Sequence, residues 1–329
     1  MPADQSLSVV LVAMGANIVL ASLKFIAYLF TGSPSMLAQT YHSLSDTGNQ
    51  VLLLIGFYYA KKQASRSHPF GQGKAAFFYA FLVSVLLFGI AGWESLQTGV
   101  RALRAGAPVE LPAEATMTAV GVEFRAIYLA YAVLILTIIL DGYSYLKARQ
   151  ALDDEIAERE WEGVRDAFQK TSDMPVLAVL TENAVAGFGA FIALIGILLA
   201  DVTGIHAFDA AGAVFIGILL MTFAIALGWE NKRLLLGEAL PDDHEAPLEA
   251  LVIATTGVEE LVDFKTVYFG PDNVLVAADV AFEPDLDSTA IAEAIDQIED
   301  QLREEDDLVK QIYIEPVDAN DSEPATETR

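Results

Sequence analysis

The stretch Tyr41-His42-Ser43-Leu44-Ser45-Asp46-Thr47-Gly48-Asn49-Gln50 decides how this chain is interpreted, because polar residues stand there where a hydrophobic segment is expected. The apolar run Val51-Leu52-Leu53-Leu54-Ile55-Gly56-Phe57 follows it directly. Ionisable side chains inside a bilayer are costly, so they generally face a cavity or a partner and serve a function. His42 and Asp46 are four residues apart and project from one face of a helix. Together they would supply half of a tetrahedral divalent-metal site.

The composition predicts a polytopic α-helical membrane protein with six transmembrane helices. Of the 329 residues, 54% are hydrophobic, and six stretches are long enough to cross a hydrocarbon core of about 30 Å. These segments are predicted at 8–30, 37–60, 75–98, 126–146, 175–200 and 208–230. The first segment is too long for a cleavable signal peptide. The chain has no cysteine, which excludes disulfides and thiolate metal sites.

The distribution of basic residues predicts the orientation, because lysine and arginine are enriched in cytoplasmic loops. They follow segment two, separate segments four and five, and follow segment six: Lys61, Lys62, Arg66, Lys147, Arg149, Arg159, Arg165, Lys170, Lys232 and Arg233. The loops on the other side offer Arg101, Arg104 and Arg125. We therefore expect both termini in the cytoplasm and the chain in the cell membrane.

The acidic character of the chain is concentrated near its end. The formal net charge is −26, and the region from Glu238 to Arg329 contains 26 acidic and 4 basic residues. Such a surface disfavours nucleic-acid binding, because nucleic-acid phosphates are themselves anionic. It can attract cations, but acid-rich and lysine-poor surfaces also suit a high-salt cytoplasm in which charge repulsion is screened. We favour the second interpretation, a salt-loving microbe.

A small cytoplasmic α+β domain is predicted after segment six. Helical spacing of apolar residues at Pro247–Ile253 is followed by a strand at Val258–Tyr268 and a turn at residues 270–273. Alternation from Val274 to Phe282 indicates a second strand. A helix then starts after Asp287, and a last strand covers Val309–Ile314. The α-β-β-α-β order suits a two-layer domain. We place the transmembrane domain at 1–236, this domain at 237–316 and a disordered acidic tail at 317–329.

Glu182 is the natural partner for His42 and Asp46, because it is the only carboxylate in the apolar run from Val176 to Ala200. At about 1.5 Å per residue, His42 and Asp46 lie roughly 8 to 14 Å below the outer boundary and Glu182 roughly 20 Å below it. The difference is within the error of placing helix boundaries, so a shared site stays open. A buried hydrogen-bonded pair that only packs two helices is the alternative for His42 and Asp46.

Other polar residues receive less specific interpretations. Lys24 can neutralise an acid inside the bundle or snorkel to the interface. Asp141 and Glu94 lie near the ends of their segments and are interpreted as interfacial. Asp209 is expected to start segment six rather than to bind a metal. His206 is expected to be exposed to solvent.

The motifs together resemble the cation diffusion facilitator family of divalent-metal transporters over nearly the whole chain. They are Gly32-Ser33-Pro34-Ser35-Met36-Leu37, His42-Ser43-x-x-Asp46-Thr47-x-Asn49-Gln50, His68-Pro69-Phe70-Gly71-x-Gly73-Lys74, Leu235-Leu236-Gly237-Glu238 and the α-β-β-α-β domain. The resemblance implies a homodimer, joined through the cytoplasmic domain, that exports cytoplasmic divalent metal in exchange for protons. It also implies two metal ligands on segment two and two on segment five.

His42 and Asp46 fit the first pair of ligands that the resemblance implies. The second pair is commonly His-x-x-x-Asp, and here Val179 and Asn183 stand at those positions, with Glu182 one place off. The chain is similar to the branch that carries Glu-Asp on segment five, with the aspartate replaced by asparagine. The predicted ligands are therefore His42, Asp46, Glu182 and Asn183.

This ligand set bears on the identity of the cargo. One imidazole, two carboxylates and an amide are more oxygen-rich than a site with two histidines, so manganese or ferrous iron are alternatives to zinc, the expected ion. Proton binding to His42 can compete with metal and couple the two flows. No prosthetic group is expected.

Additional metal sites are common in proteins of this kind. In the loop after segment two, His68 matches one position of such a site, and it is a further candidate ligand. Gln72 stands where a second histidine would be, and the cytoplasmic domain has one histidine, His244. We therefore expect no high-affinity zinc cluster in that domain.

Three other classes of function compete with a transporter. A membrane metalloenzyme would need a motif such as His-Glu-x-x-His, which does not occur in the sequence. A metal-responsive scaffold that does not transport would leave His42 and Glu182 dispensable for ion movement. An ion channel is disfavoured, because a tight ligand set holds ions too strongly for fast conduction.

Overall fold

The computed structural model describes residues 3–62, 64–105, 116–119, 122–158, 163 and 174–318. The chain divides into two compact units. The first contains Met1–Leu53 and Ala80–Trp229, and the second contains Leu54–Tyr79 and Glu230–Arg329. One sequence-based prediction, the disordered tail at 317–329, falls largely outside the described residues.

Six long helices make up most of the described residues. They are α1 (Ala3–Thr31), α2 (Pro34–Ala60), α3 (Ala75–Ala105), α4 (Ile127–Glu158), α5 (Met174–Thr203) and α6 (Ala207–Leu236). A π-helical stretch, Leu87–Gly92, interrupts the regular hydrogen bonding of α3. A short antiparallel hairpin, β1 (Thr116–Ala119) and β2 (Val122–Arg125), precedes α4. The sequence did not predict this hairpin.

Within the described residues, five of these helices are long and apolar enough to cross a membrane: α1, α3, α4, α5 and α6. Helix α2 has 27 residues, which is sufficient length, but the polar residues between Gln39 and Gln50 lower its hydropathy. The chain is thus a multi-pass membrane protein with a small α+β domain, and six spans stay a prediction. Many large apolar side chains on these helices are exposed, among them Phe188 and Phe215, as contact with lipid requires.

Helix α4 differs from its prediction. The sequence predicted a span at 126–146. The structure instead has one continuous helix to Glu158. An ion pair between Arg149 and Asp153, at 2.9 Å and one turn apart, supports the polar end of this helix.

Small residues allow close helix packing in the first unit. Its core is rich in alanine, as expected where helices associate in lipid. Helices α3 and α6 approach each other closely, and a Cβ atom on Gly217 would lie 2.5 Å from the Leu96 backbone nitrogen. A Cβ atom on Gly99 would likewise lie 2.7 Å from the Ala210 carbonyl oxygen. Glycine at these positions therefore brings the two backbones into contact.

The start of α2 is fixed by capping groups. Ser33 Oγ accepts a hydrogen bond from the Met36 N–H at 3.1 Å. Asp209 Oδ1 accepts one from the Ser35 N–H at 3.1 Å, and Ser35 Oγ donates to the Asp209 carbonyl oxygen at 2.7 Å. Asp209 thus lies in the first turn of α6, as predicted, and it also satisfies an otherwise unpaired donor of α2. This places His42 at a defined depth along the bundle.

The second unit confirms the predicted α-β-β-α-β order. Its elements are α7 (Asp242–Ala254), β3 (Val258–Gly270), β4 (Asn273–Phe282), α8 (Ser288–Glu305) and β5 (Val309–Val317). The sheet order is β3-β4-β5, with β3 antiparallel and β5 parallel to β4. Asp287 caps α8 by accepting hydrogen bonds from the N–H groups of Thr289 and Ala290.

The loop between α2 and α3 belongs to this second unit. The ring of Phe70 lies 5.3 Å from that of Phe269 and 6.4 Å from that of Tyr313. Lys74 Nζ lies 4.8 Å from the centre of the Phe269 ring. A Cβ atom on Gly73 would lie 2.2 Å from the Phe269 carbonyl oxygen, so this position requires glycine.

Candidate cation site

The predicted pair on α2 has the geometry that its spacing suggested. His42 Nδ1 lies 3.5 Å from Asp46 Oδ1, and the His42 side chain is 2% exposed. Neither ring nitrogen of His42 makes a hydrogen bond within the described part of the chain. A buried imidazole is normally hydrogen-bonded, because an unpaired polar group is costly away from water. Its two unpaired nitrogens therefore suit a group that binds a ligand.

Glu182 lies near this pair, although it comes from α5. The residue is half-buried, and its carboxylate interacts electrostatically with those of Asp46 and Asp141. The structure thus brings the three predicted ionisable residues into one region of the bundle. Among the described residues, no three histidine or acidic side chains are close enough together to hold a metal ion as they stand. Closing such a site would require side-chain or helix movement.

Asp141 is a member of this region that the sequence did not predict. It lies near the middle of α4 and is half-buried, with electrostatic interactions to Lys24 and His42. Its Cβ atom would be 3.6 Å from a Cβ atom placed on Gly187 of α5. The interpretation of Asp141 as an interfacial residue therefore does not describe its surroundings.

Lys24 provides the positive charge of this region. It is 3% exposed, and its Nζ donates hydrogen bonds to Gln39 Oε1 at 3.2 Å and to Ser43 Oγ at 2.8 Å. It also interacts electrostatically with Asp46 and Asp141. Of the two roles that the sequence left open, the structure favours neutralisation of acids inside the bundle over snorkelling.

The polar face of α2 extends on both sides of His42. Gln39 is fully buried, and its Nε2 lies 3.0 Å from the position that a Cβ atom on Gly189 would take. Helix α5 therefore approaches α2 closely at a glycine. Side-chain oxygens of Asn49 and Gln50 are buried without a hydrogen-bond partner in the described residues, so these atoms do not tie α2 to another helix.

The remaining candidates are less informative. Asn183 is half-buried beside Glu182, and its role as a ligand stays a prediction. His68 is exposed, with Nδ1 at 3.1 Å from Ser67 Oγ and 3.4 Å from Gln72 Nε2. These neighbours are a hydroxyl and an amide, so the loop offers a single imidazole rather than a cluster of ligands. His206 is exposed, as expected.

A second charged group lies at the other end of the first unit's helices. Arg125 pairs with Asp201 at 2.5 Å, and the Tyr131 hydroxyl donates to Asp201 at 3.2 Å. Arg125 is 44% exposed, so the pair contributes little to stability. It ties the start of α4 to the end of α5, and these two helices pack along each other.

These features define a class of protein: a multi-pass helical membrane protein with ionisable side chains buried between its helices. Comparison with known families identifies the class further. The chain belongs to the cation efflux family, whose transmembrane-domain model matches residues 10–236. Members of this family are transporters, so the prediction that the chain is not an enzyme is confirmed.

Individual relatives come from plants, animals and bacteria. The chain is 27% identical to metal tolerance protein C4 of Arabidopsis thaliana, over 82% of this chain and 56% of the relative. It is 27% identical to the human mitochondrial proton-coupled zinc antiporter SLC30A9, over 84% of this chain and 46% of the relative. It is also 27% identical to the cation-efflux pump FieF of Cronobacter sakazakii, over 79% of this chain and 76% of the relative. The chain thus spans about half the length of the plant and human relatives.

Proposed function

We propose that this protein exports a divalent metal cation from the cytoplasm across the cell membrane in exchange for protons, with zinc as the cargo. The observation that carries the proposal is the buried His42 imidazole, whose two nitrogens lack hydrogen-bond partners in the described chain beside the Asp46 carboxylate. Family membership supports cation efflux, and a relative that is named a proton-coupled zinc antiporter supports the choice of ion and counter-ion.

The ligands in this proposal are His42, Asp46, Glu182 and Asn183. Imidazole and carboxylate groups must be deprotonated to bind metal, so binding releases protons and proton binding releases metal. A site that protons and metal ions occupy alternately can couple the two gradients. Manganese or ferrous iron as cargo is the alternative that the oxygen-rich ligand set favours.

The remaining parts of the proposal concern assembly and environment. We infer that both termini are cytoplasmic, that domain 237–316 joins two copies of the chain, and that the acidic surface is adapted to high salt. The mass of the purified chain in detergent, measured by light scattering, tests the dimer. A monomer at micromolar concentration in high salt would contradict it.

The test of transport uses proteoliposomes loaded with a metal-sensitive dye. Uptake of zinc, manganese, iron, cobalt and cadmium is measured under a pH gradient for wild type, His42→Ala and Glu182→Ala. The exposed residues His206 and Glu259 provide matched controls as His206→Ala and Glu259→Ala. Gradient-driven flux of one ion, lost in the first two variants and kept in the controls, would support the proposal and name the cargo.

Two other results have distinct meanings. Flux that survives both His42→Ala and Glu182→Ala would refute the proposed site but not transport itself. Absence of flux for every ion, from protein that remains monodisperse in high salt, would favour the metal-responsive scaffold.

A further inference from the structure

Lys24 is unusual among the charged residues of the first unit because it is almost fully buried and yet faces acids. Its Nζ donates to Gln39 and Ser43, both on α2, from the neighbouring helix α1. An ammonium group has three N–H donors, so these two hydrogen bonds leave one. Its electrostatic partners are Asp46 and Asp141.

The formal charges of this region are informative. Asp46, Asp141 and Glu182 carry three negative charges when ionised, and Lys24 carries one positive charge. The difference is two negative charges, which one divalent cation neutralises. We propose that Lys24 is the internal counter-cation of the site. Its positive charge leaves the site with a net charge that matches one divalent ion, and it lowers the affinity of the site for that ion.

A transporter needs this kind of balance, because it must release the ion that it binds. Three carboxylates in a region of low dielectric would hold a divalent cation strongly. A fixed ammonium nearby repels the bound ion, which lowers affinity and speeds release. It also neutralises part of the acidic charge before the ion arrives, when unpaired carboxylates would be costly to bury.

A purely structural role for Lys24 makes the opposite prediction. If Lys24 only joined α1 to α2 through Gln39 and Ser43, its loss would loosen the site and weaken metal binding. If it is the counter-cation, its loss strengthens binding. The sign of the change in affinity therefore separates the two roles.

The experiment compares Lys24→Met with wild type, using the full chain in detergent and zinc competed against a chelator. We expect zinc to bind at least about tenfold more tightly to Lys24→Met, which corresponds to about 1.4 kcal/mol. In proteoliposomes the variant should show a lower KM for zinc together with a lower turnover rate, because release becomes slow. Lys24→Arg keeps the charge and should keep the affinity within a few-fold. Lys61→Met, at an exposed lysine, should change neither quantity.

Unchanged or weaker zinc binding by Lys24→Met would overturn the inference. If Lys24→Met does not yield folded protein, Lys24→Gln removes the same charge while keeping a polar group, and the same criterion applies. The inference rests on the proposed function, but the two fail differently. A wild-type protein that neither binds nor transports any divalent metal refutes the function, whereas a transporting wild type with an insensitive Lys24 variant refutes this inference alone.

Discussion

Replacement of His42 by leucine should stabilise the metal-free protein while abolishing its transport. The imidazole is 2% exposed, and within the described chain both of its nitrogens lack hydrogen-bond partners. Leucine is apolar and close to histidine in volume, so it removes the unpaired groups without leaving a large cavity. A residue retained at the expense of stability is expected at a functional site rather than in a packing role.

The size of the gain follows from the cost of an unpaired buried polar group, which is about 1–3 kcal/mol. We count this cost for one of the two ring nitrogens rather than for both, because a polar side chain in a membrane also finds hydrogen-bond partners in the unfolded reference state. For a unit of 150–250 residues, each kcal/mol shifts the melting temperature by about 2–4 °C. The expected rise is therefore about 2–12 °C.

The assay is thermal unfolding in detergent at a fixed scan rate, because unfolding of membrane proteins is often irreversible. His206→Leu, at an exposed histidine, is the matched control and should shift the melting temperature little. Zinc at 100 times its Kd should stabilise wild type by about 2.7 kcal/mol and His42→Leu hardly at all. A fall of several degrees in metal-free His42→Leu, with His206→Leu unchanged, would refute the reasoning, since it would mean that the imidazole is well hydrogen-bonded.

Three further predictions concern other parts of the chain. Asp141→Asn removes a negative charge from the site and should weaken zinc binding by about tenfold, or about 1.4 kcal/mol, in the chelator assay. An unchanged Kd for zinc would place this carboxylate outside the site. Gly217→Ala should destabilise the first unit by about 1–3 kcal/mol, because its new methyl group would meet the Leu96 backbone, whereas Gly15→Ala has open space and should not. Burial raises the pKa of Glu245, so its carboxyl group binds a proton more tightly in the folded protein than in the unfolded chain. Protonation of this group therefore stabilises the fold at low pH, and the stabilisation is lost as pH rises through the raised pKa. Glu245→Gln should therefore raise the melting temperature at pH 7 and lose this gain at low pH, and a gain independent of pH would contradict the stated cause.

The parts of the fold that follow from local pattern could be predicted from sequence. Strand alternation from Val274 to Phe282 corresponds to β4, and the N-cap at Asp287 starts α8 as expected. The four-residue spacing of His42 and Asp46 predicted their common face, because helical geometry alone fixes it. These features depend on neighbours within one element, which the sequence displays directly.

The features that sequence reasoning missed, as for Asp141, or left open, as for Lys24, depend on contacts between elements. Lys24 and Asp141 lie far apart along the chain, and each has a common alternative role near a membrane boundary. Only the packing of α1 against α4, and of α4 along α5, turns both side chains towards His42. The contact of α3 with α6 at Gly217 also escapes prediction, because an isolated glycine in an apolar segment does not reveal which backbone approaches it.

The arrangement of the site constrains how it can open and close. Its charged residues come from four helices: Lys24 on α1, the His42–Asp46 pair on α2, Asp141 on α4 and Glu182 on α5. Because no three of the described ionisable side chains are within coordinating distance, binding a cation requires these side chains or their helices to move. The close approach at Gly189, where a Cβ atom would lie 3.0 Å from Gln39 Nε2, shows that α2 and α5 meet directly at this point. A change in the position of α5 relative to α2 at that glycine would change the distance between Glu182 and Asp46, and therefore the affinity for the ion.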